Sequence, residues 1–158
     1  MKNFNIQNMS TQQKRIRKDD GSRPPKSDGA SMLDRSPPFD LSAEACVLGC
    51  LILNPDVAND LTLILRTDDF YDDANRKIYS AIISMFDTGR KFDVTLLVAE
   101  LKTRGEFELV GGAAYIAKLA NSVPNAAHAI YYAEIVRAKA TLRRLIDAST
   151  STTVARSR

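Results

Sequence analysis

Apolar residues recur every three or four positions between residues 41 and 146, a spacing that is typical of amphipathic helices. The first run, AEACVLGCLIL at residues 43–53, is apolar on nearly all sides. A helix of that composition belongs in the middle of a helical bundle, because it has no polar face to present to water. No segment alternates apolar and polar residues for long enough to build a sheet. The pattern therefore predicts an all-α fold.

Capping residues and glycines divide the rest of the pattern into further helices. The expected N-terminal caps are Ser42, Asn54, Asp72 or Asp73, and Asp93. The expected helix-ending glycines are Gly89 and Gly105, and Gly111-Gly112 open a short fifth helix. A longer helix follows over about residues 126–148. We therefore expect a compact head of about five short helices followed by one longer helix.

The longest predicted helix carries its apolar residues at steps of four, three, four and three, which is the spacing of a heptad seam. With one neighbouring residue, this row forms a candidate partner interface, which comprises Tyr131, Ile135, Ala138, Leu142, Leu145 and Ile146. A helix this long beside a small head is expected to project and to bind a partner along the seam. A single amphipathic helix packed on its own domain gives the same spacing, so both interpretations stay open.

The composition is that of a globular domain preceded by a charged, polar leader. Of the 158 residues, 44% are hydrophobic and 26% are charged. Residues 1–37 hold eight basic and four acidic residues and so carry a charge of +4, whereas the remainder, with 14 basic and 15 acidic residues, carries −1, which gives the net +3 of the chain. We expect residues 1–37 to be a disordered basic tail, because they bury too little apolar surface to offset the entropy of ordering. Such a tail can contact nucleic acid electrostatically; a solvated leader is the alternative.

Two sequence features bear on the compartment. No apolar stretch approaches the ~20 residues needed to cross a bilayer, and the first residues lack the apolar segment of a signal peptide. The two cysteines do not form a disulfide framework. We therefore expect a cytoplasmic protein that does not bind a membrane.

Two groups of residues imitate a chemical site. Cys46 and Cys50 share one helix face, but zinc needs about four ligands and His128 is the only histidine, so we interpret the cysteines as small core residues. The four aspartates within residues 68–73 could bind a hard cation, yet they also suit a helix N-terminus, which is the interpretation we favour. The sequence has neither a GxxxxGK[ST] phosphate loop nor a GxGxxG motif. It predicts no catalytic, cofactor-binding or metal-binding residue.

A set of residues spread over positions 38–146 has the order and spacing of a known domain. The set comprises Pro38, Leu41, Ala43-Glu44, Val47-Leu48-Gly49, Asp69-Phe70-Tyr71, Ile78-Tyr79, Gly89, Asp93, Thr95, Leu101, Gly105, Val110-Gly111-Gly112, Tyr115, Leu119, Pro124-Asn125-Ala126-Ala127, Tyr132-Ala133, Ile135-Val136-Arg137 and Arg143-Arg144-Leu145-Ile146. In this order the residues resemble the N-terminal domain of the replicative DNA helicase family typified by DnaB.

The resemblance implies an all-α head followed by a helical hairpin, which the long helix begins. In this family such domains pair through their hairpins, form a collar on a hexameric ring and provide the docking surface for DnaG-type primase. ATP and Mg²⁺ are expected to bind to a separate ATPase domain of the parent helicase, which also contacts the DNA. Collar assembly and primase recruitment are therefore the functions expected of residues 38–148.

The sequence departs from the family pattern in two respects. The second hairpin helix and the ATPase domain are absent from it, and the polar residues 149–158 are expected to be disordered. His128 stands where the family usually has an asparagine. The alternative function is that of a stand-alone helical adaptor, which would bind helicase or primase and regulate loading.

Overall fold

The computed structural model of the protein describes residues 36–89 and 93–155. Within these residues the helices are α1 (Leu41–Leu53), α2 (Ala58–Ile64), α3 (Asp73–Asp87), α4 (Val94–Thr103), α5 (Gly112–Ala120) and α6 (Ala129–Ala155). Short 3₁₀ turns, Pro55–Val57 and Thr67–Asp69, precede α2 and α3. No strand occurs in the described ranges, so the predicted all-α class is confirmed. The predicted tail of residues 1–37 lies outside them except for its last two residues.

α1 is the central helix, as its apolar composition predicts. It packs against α3, α5 and α6, and Val47, Leu48 and Leu51 are fully buried in its middle. The approach to α5 is so close that a Cβ on Gly49 would lie 2.5 Å from the carbonyl oxygen of Leu119. The absence of a side chain at this glycine therefore lets the two helices pack at their observed separation.

α6 runs antiparallel to α1. The carbonyl of Pro38, in front of α1, accepts a hydrogen bond from Arg143 Nη1 in the second half of α6 (2.8 Å). At the other end, the thiol of Cys50 lies 3.9 Å from the carbonyl oxygen of Asn125, in front of α6. The side chains of α6 that are buried against the head are small, and they are Ala129, Ala133, Val136 and Ala140. Small side chains allow the two helix axes to come close together.

Side-chain caps set the starts of three helices. Asp72 caps α3 and Asp93 caps α4, each accepting a hydrogen bond from a backbone N–H of the first turn, as predicted. The predicted cap of α1 is wrong, because Asp40 rather than Ser42 accepts the hydrogen bond from Ala43 N (2.9 Å). An ionised carboxylate accepts more strongly than a hydroxyl and also interacts favourably with the helix dipole.

α6 begins and ends later than the pattern predicts. The prediction places it over about residues 126–148, with residues 149–158 disordered, whereas the helix occupies Ala129–Ala155. The expected disorder is therefore wrong for residues 149–155; the last three residues lie outside the described ranges. Serine and threonine each lower helix propensity by only about 0.7 kcal/mol or less. Ser149 Oγ also bonds back to the carbonyl three residues earlier (2.7 Å), a contact compatible with the helix.

Candidate partner-binding face of the last helix

α6 has two apolar faces that point in nearly opposite directions. Successive residues of a helix are rotated by about 100°, so positions two residues apart point roughly 200° from each other. Ala140 is buried against the head, and Leu142 follows it by two residues. Val136 is likewise buried, and Ala138 follows it by two. The small buried face therefore contacts the head, while the predicted partner interface faces away from it.

The structure places five of the six predicted interface residues on the exposed outer face. The exposed fractions of the large ones are 62% for Tyr131, 46% for Leu142, 61% for Leu145 and 45% for Ile146. Ala138 is also exposed, whereas Ile135 is half-buried because it packs against the edge of the hydrophobic core. We call the six predicted interface residues the α6 seam: Tyr131, Ile135, Ala138, Leu142, Leu145 and Ile146.

The C-terminal end of the α6 seam lies in an exposed stretch of α6. Every residue from Arg144 to Ser149 is exposed, so the side chain of Leu145 contacts mainly water. Removing apolar surface from water stabilises a protein or a complex by about 25 cal/mol for each Å². Contiguous exposed apolar surface of this kind marks interaction sites on soluble proteins.

A buried carboxylate holds α6 against the head at the level of the α6 seam. The Asp69 side chain is fully buried; its Oδ1 forms an ion pair with Arg144, and its Oδ2 lies 3.5 Å from Arg137 Nη1. The same Oδ2 accepts a hydrogen bond from the backbone N–H of Arg66 (2.8 Å). Arg137 Nη1 also donates to the carbonyl of Ile64 in α2 (2.7 Å). These contacts fix the rotation of α6 about its axis, and hence the direction in which the seam faces.

Arg143 ties α6 to the segment in front of α1. Its Nη1 donates to the Pro38 carbonyl (2.8 Å), and its Nη2 donates to the Asp69 carbonyl (2.5 Å). Its guanidinium lies 5.6 Å from the centroid of the Tyr71 ring. The ring of Phe39 stacks on the Tyr71 ring, with the two centroids 4.6 Å apart. These contacts could not be predicted from the sequence, because the bonded residues are 105 and 74 positions apart and leave no local pattern.

A second buried polar network holds the loop in front of α3. Glu44 in α1 is 1% exposed, and its carboxylate accepts hydrogen bonds from the backbone N–H of Tyr71 (2.6 Å) and from Asn75 Nδ2 (3.0 Å). The Tyr115 hydroxyl donates to Asn75 Oδ1 (2.7 Å). Burial raises the pKa of the Tyr115 hydroxyl, which keeps its proton in place for this hydrogen bond. No local sequence pattern indicates that this acidic residue near the start of α1 is buried.

The residues that imitate a chemical site have structural roles. Cys50 is buried and Cys46 is half-buried, and burial raises the pKa of the Cys50 thiol to about 11, so the thiol is uncharged at neutral pH. The aspartate cluster supplies the α3 cap and the carboxylate that pairs with α6. No group of three or more His, Cys, Asp or Glu side chains in the described residues could hold a metal ion. None of the described helices has the length and apolarity required to span a bilayer.

Comparisons with known proteins agree with this architecture. Residues 36–138 match the family described as "DnaB-like helicase N terminal domain". The replicative DNA helicase DnaB of Mycobacterium leprae is 45% identical over 116 residues, which is 73% of this chain and 19% of the relative. The replicative DNA helicase DnaC of Bacillus subtilis is 43% identical over 122 residues, 77% of this chain and 26% of the relative. The crystal structure of the N-terminal domain of DnaB helicase from Mycobacterium tuberculosis has a TM-score of 0.72 and 43% identity, covering 75% of this chain and 86% of that one.

The fold therefore defines an N-terminal domain of the replicative-helicase class. The chain belongs to the DnaB-like helicase N-terminal domain family, which confirms the resemblance found in the sequence. It spans about a fifth to a quarter of the length of the curated relatives that it matches.

Proposed function

We propose that this domain pairs with a second copy of itself through the α6 seam and so contributes to the collar of a DnaB-type helicase ring. The main support is the exposed apolar row that lies opposite the face of α6 packed on the head. A second copy can cover this row with the same row of its own, which removes both from water. A two-fold axis gives such pairing, because each seam then serves as both halves of the interface.

The size of the α6 seam predicts weak pairing. From Tyr131 to Leu145 it spans about 21 Å at 1.5 Å per residue. Its four large, roughly half-exposed side chains contribute on the order of 6–12 kcal/mol when two copies cover them. Lost translational and rotational freedom offsets about 4–15 kcal/mol. The two ranges overlap, so the net free energy of pairing is at best about −8 kcal/mol and the dissociation constant is no tighter than roughly micromolar. Pairing must therefore be measured at high protein concentration.

We also propose that this domain recruits DnaG-type primase. Its membership of the DnaB-like family supports this role. ATP, Mg²⁺ and the DNA are proposed to bind to the ATPase part of the parent helicase. The residues present do not fit ATP with Mg²⁺, because the sequence lacks a phosphate loop and the described residues lack a metal-binding group. We expect the immobilised chain to retain DnaG-type primase. An excess of the free chain should compete for the primase and release it. Absence of retention at both low and physiological salt would remove primase from the proposal.

The pairing is tested by Leu142→Asp in the full chain, with Leu63→Asp as the matched control. Leu63 is an 85% exposed leucine in α2, outside the α6 seam. Sedimentation velocity over rising concentration is expected to show dimers for the wild type and for Leu63→Asp, but only monomers for Leu142→Asp. Circular dichroism should be the same for all three, because both leucines lie outside the core. Identical sedimentation of Leu142→Asp and the wild type would show that the seam is not an interface.

A further inference from the structure

Two stacked aromatic side chains of the head lie beside the C-terminal half of α6. The rings of Phe39 and Tyr71 are nearly parallel, with an interplanar angle of 11°, and the two residues are 40% and 39% exposed. Arg143 of α6 holds both in place, because its guanidinium lies over the Tyr71 ring and its Nη1 donates to the carbonyl of Pro38, the residue before Phe39. We call Phe39 and Tyr71 the aromatic flank.

The aromatic flank widens the exposed apolar surface of the α6 seam. Arg143, on which the flank rests, precedes Ile146 of the seam by three residues. Three residues advance a helix by about 300°, so the two side chains are only about 60° apart around the axis of α6. Ile146 is 45% exposed. The C-terminal half of the seam therefore has an aromatic surface along one of its sides.

The area of the α6 seam alone falls short of that of a typical specific interface. A large apolar or aromatic side chain has on the order of 150–200 Å² of surface, so the exposed fractions of the four large seam residues give roughly 700 Å² for two copies. A specific interface buries at least about 1,000 Å². The exposed fractions of the aromatic flank add roughly 300 Å² for two copies, which brings the total to that level.

A second aromatic pair lies at the opposite end of α6. The rings of Tyr131 and Tyr132 meet edge to face, with centroids 6.0 Å apart. Tyr132 precedes Arg143 by 11 residues, which is close to three turns, so both lie on the same side of α6. Two copies with antiparallel α6 helices, related by an axis near Ala138, bring the start of one α6 beside the end of the other. The tyrosine pair of one copy then lies at the level of Ile146 of the other, beside its aromatic flank.

We propose that the aromatic flank of one copy packs on the Tyr131–Tyr132 pair of a second copy, in an antiparallel dimer that also covers the α6 seam. This inference rests on the proposed pairing and adds to it a contact between the head of one copy and the last helix of the other. The two-fold axis repeats the contact, so each dimer contains it twice. Aromatic pairs stabilise an interface by more than their buried area alone.

The charges beside the seam favour parallel helices, but only weakly. Parallel helices would bring the exposed Glu134 of one copy near Lys139 of the other, whereas antiparallel helices bring the two Lys139 side chains near the axis. An exposed ion pair contributes little, and the long Lys139 stem can carry its ammonium group into water. Parallel helices would also place Tyr131 and Tyr132 at the end of the dimer opposite to the aromatic flank. Burial of aromatic surface therefore decides for the antiparallel dimer.

Disulfide trapping of the full chain distinguishes the two arrangements. Phe39→Cys and Tyr131→Cys are mixed at equal concentration under mild oxidation with oxidised glutathione, and peptide mass spectrometry identifies the joined cysteines. We expect position 39 of one chain to be joined to position 131 of the other. Joining of Tyr131→Cys to itself should be at least about tenfold less frequent, because in the antiparallel dimer the two positions 131 lie about 21 Å apart along the helix axis.

A double-mutant cycle measures the contact itself. In sedimentation velocity, Phe39→Ala and Tyr131→Ala are each expected to lower the association constant by about three- to tenfold, because each removes one side of an aromatic contact. The double variant is expected to lose less than the product of the two effects, because the two side chains meet in one contact. Leu63→Ala, which changes an exposed leucine outside both surfaces, serves as the control and is expected to associate as the wild type does.

The outcomes separate this inference from pairing through the α6 seam. A disulfide between positions 39 and 131, together with coupled effects of the two alanine variants, would support the aromatic contact. Joining of Tyr131→Cys mainly to itself, an association constant that Phe39→Ala leaves unchanged, or independent effects of the two alanine variants would overturn it, even where Leu142→Asp abolishes the dimer. Insensitivity of the dimer to Leu142→Asp would instead overturn the pairing on which the inference rests.

Discussion

Gly49→Ala tests the close packing of α1 on α5. Gly49 lies inside α1, where alanine favours the helix by about 1 kcal/mol. A Cβ at this position, however, would lie 2.4 Å from Ser122 Oγ and 2.5 Å from the carbonyl oxygen of Leu119. Both distances are too short for a carbon–oxygen contact, so either Ser122 must rotate or the helices must move apart.

The steric cost of Gly49→Ala exceeds the gain in helix propensity. Ser122 Oγ lies 2.6 Å from the Leu119 carbonyl oxygen and 3.0 Å from that of Ala45, so rotating it away gives up a hydrogen bond worth about 0.5–1.5 kcal/mol. The Leu119 carbonyl is fixed, because it also accepts from Ser122 N (3.0 Å). Overpacking adds about 1–3 kcal/mol. After the propensity gain, we expect a net loss of about 1–3 kcal/mol in the free energy of unfolding.

Urea and thermal unfolding followed by far-UV circular dichroism measure this loss. The expected fall in Tm is roughly 3–10 °C. In a Ser122→Ala background the effect should be smaller but still present, because the Leu119 carbonyl remains in the way. A Gly49→Ala variant as stable as the wild type would refute the reasoning. Equal effects in the two backgrounds would show that the Ser122 hydroxyl is not the obstacle.

Two further predictions concern buried groups. Glu44→Gln replaces a carboxylate oxygen that accepts hydrogen bonds with an NH₂ that cannot, so we expect a loss of about 1–3 kcal/mol in urea unfolding; an unchanged midpoint would contradict the network. Because burial raises the pKa of Cys50 from 9.0 to about 11, the folded chain keeps this proton to higher pH than the unfolded chain. Stability should therefore fall as pH rises from about 9 to 11, and the fall should be shallower in Cys50→Ala; parallel slopes in urea midpoints against pH would count against the assignment.

Local patterns predicted the helices well, because their causes are local. The all-round apolar run of α1 indicates burial without knowledge of its neighbours, and the aspartate caps of α3 and α4 act on the first turn that follows them. The cap of α1 was mispredicted because Asp40 and Ser42 are both good caps two residues apart. The end of α6 was misplaced because serine and threonine are weak rather than absolute helix breakers.

The orientation of α6 could not be read from the sequence. The alanine-rich buried face and the α6 seam have the same helical spacing, so periodicity alone does not say which of them meets the head. What decides the orientation is long-range: Asp69 pairs with Arg144, a residue 75 positions away. The half-burial of Ile135 also depends on long-range contacts, because they decide where the edge of the core lies. Periodicity thus groups the residues of the α6 seam, while the side to which they face depends on contacts that no local pattern shows.

The central claim, that the α6 seam is covered by a second copy, is tested most directly by a fluorophore placed in it. The chain contains no tryptophan, so Leu145→Trp introduces a single reporter at the exposed end of the seam, and Leu63→Trp introduces one outside it. As protein concentration rises, we predict that the emission of Leu145→Trp shifts to shorter wavelength while that of Leu63→Trp stays constant. Emission of Leu145→Trp that does not change up to millimolar concentration, or an equal shift in both variants, would contradict the account.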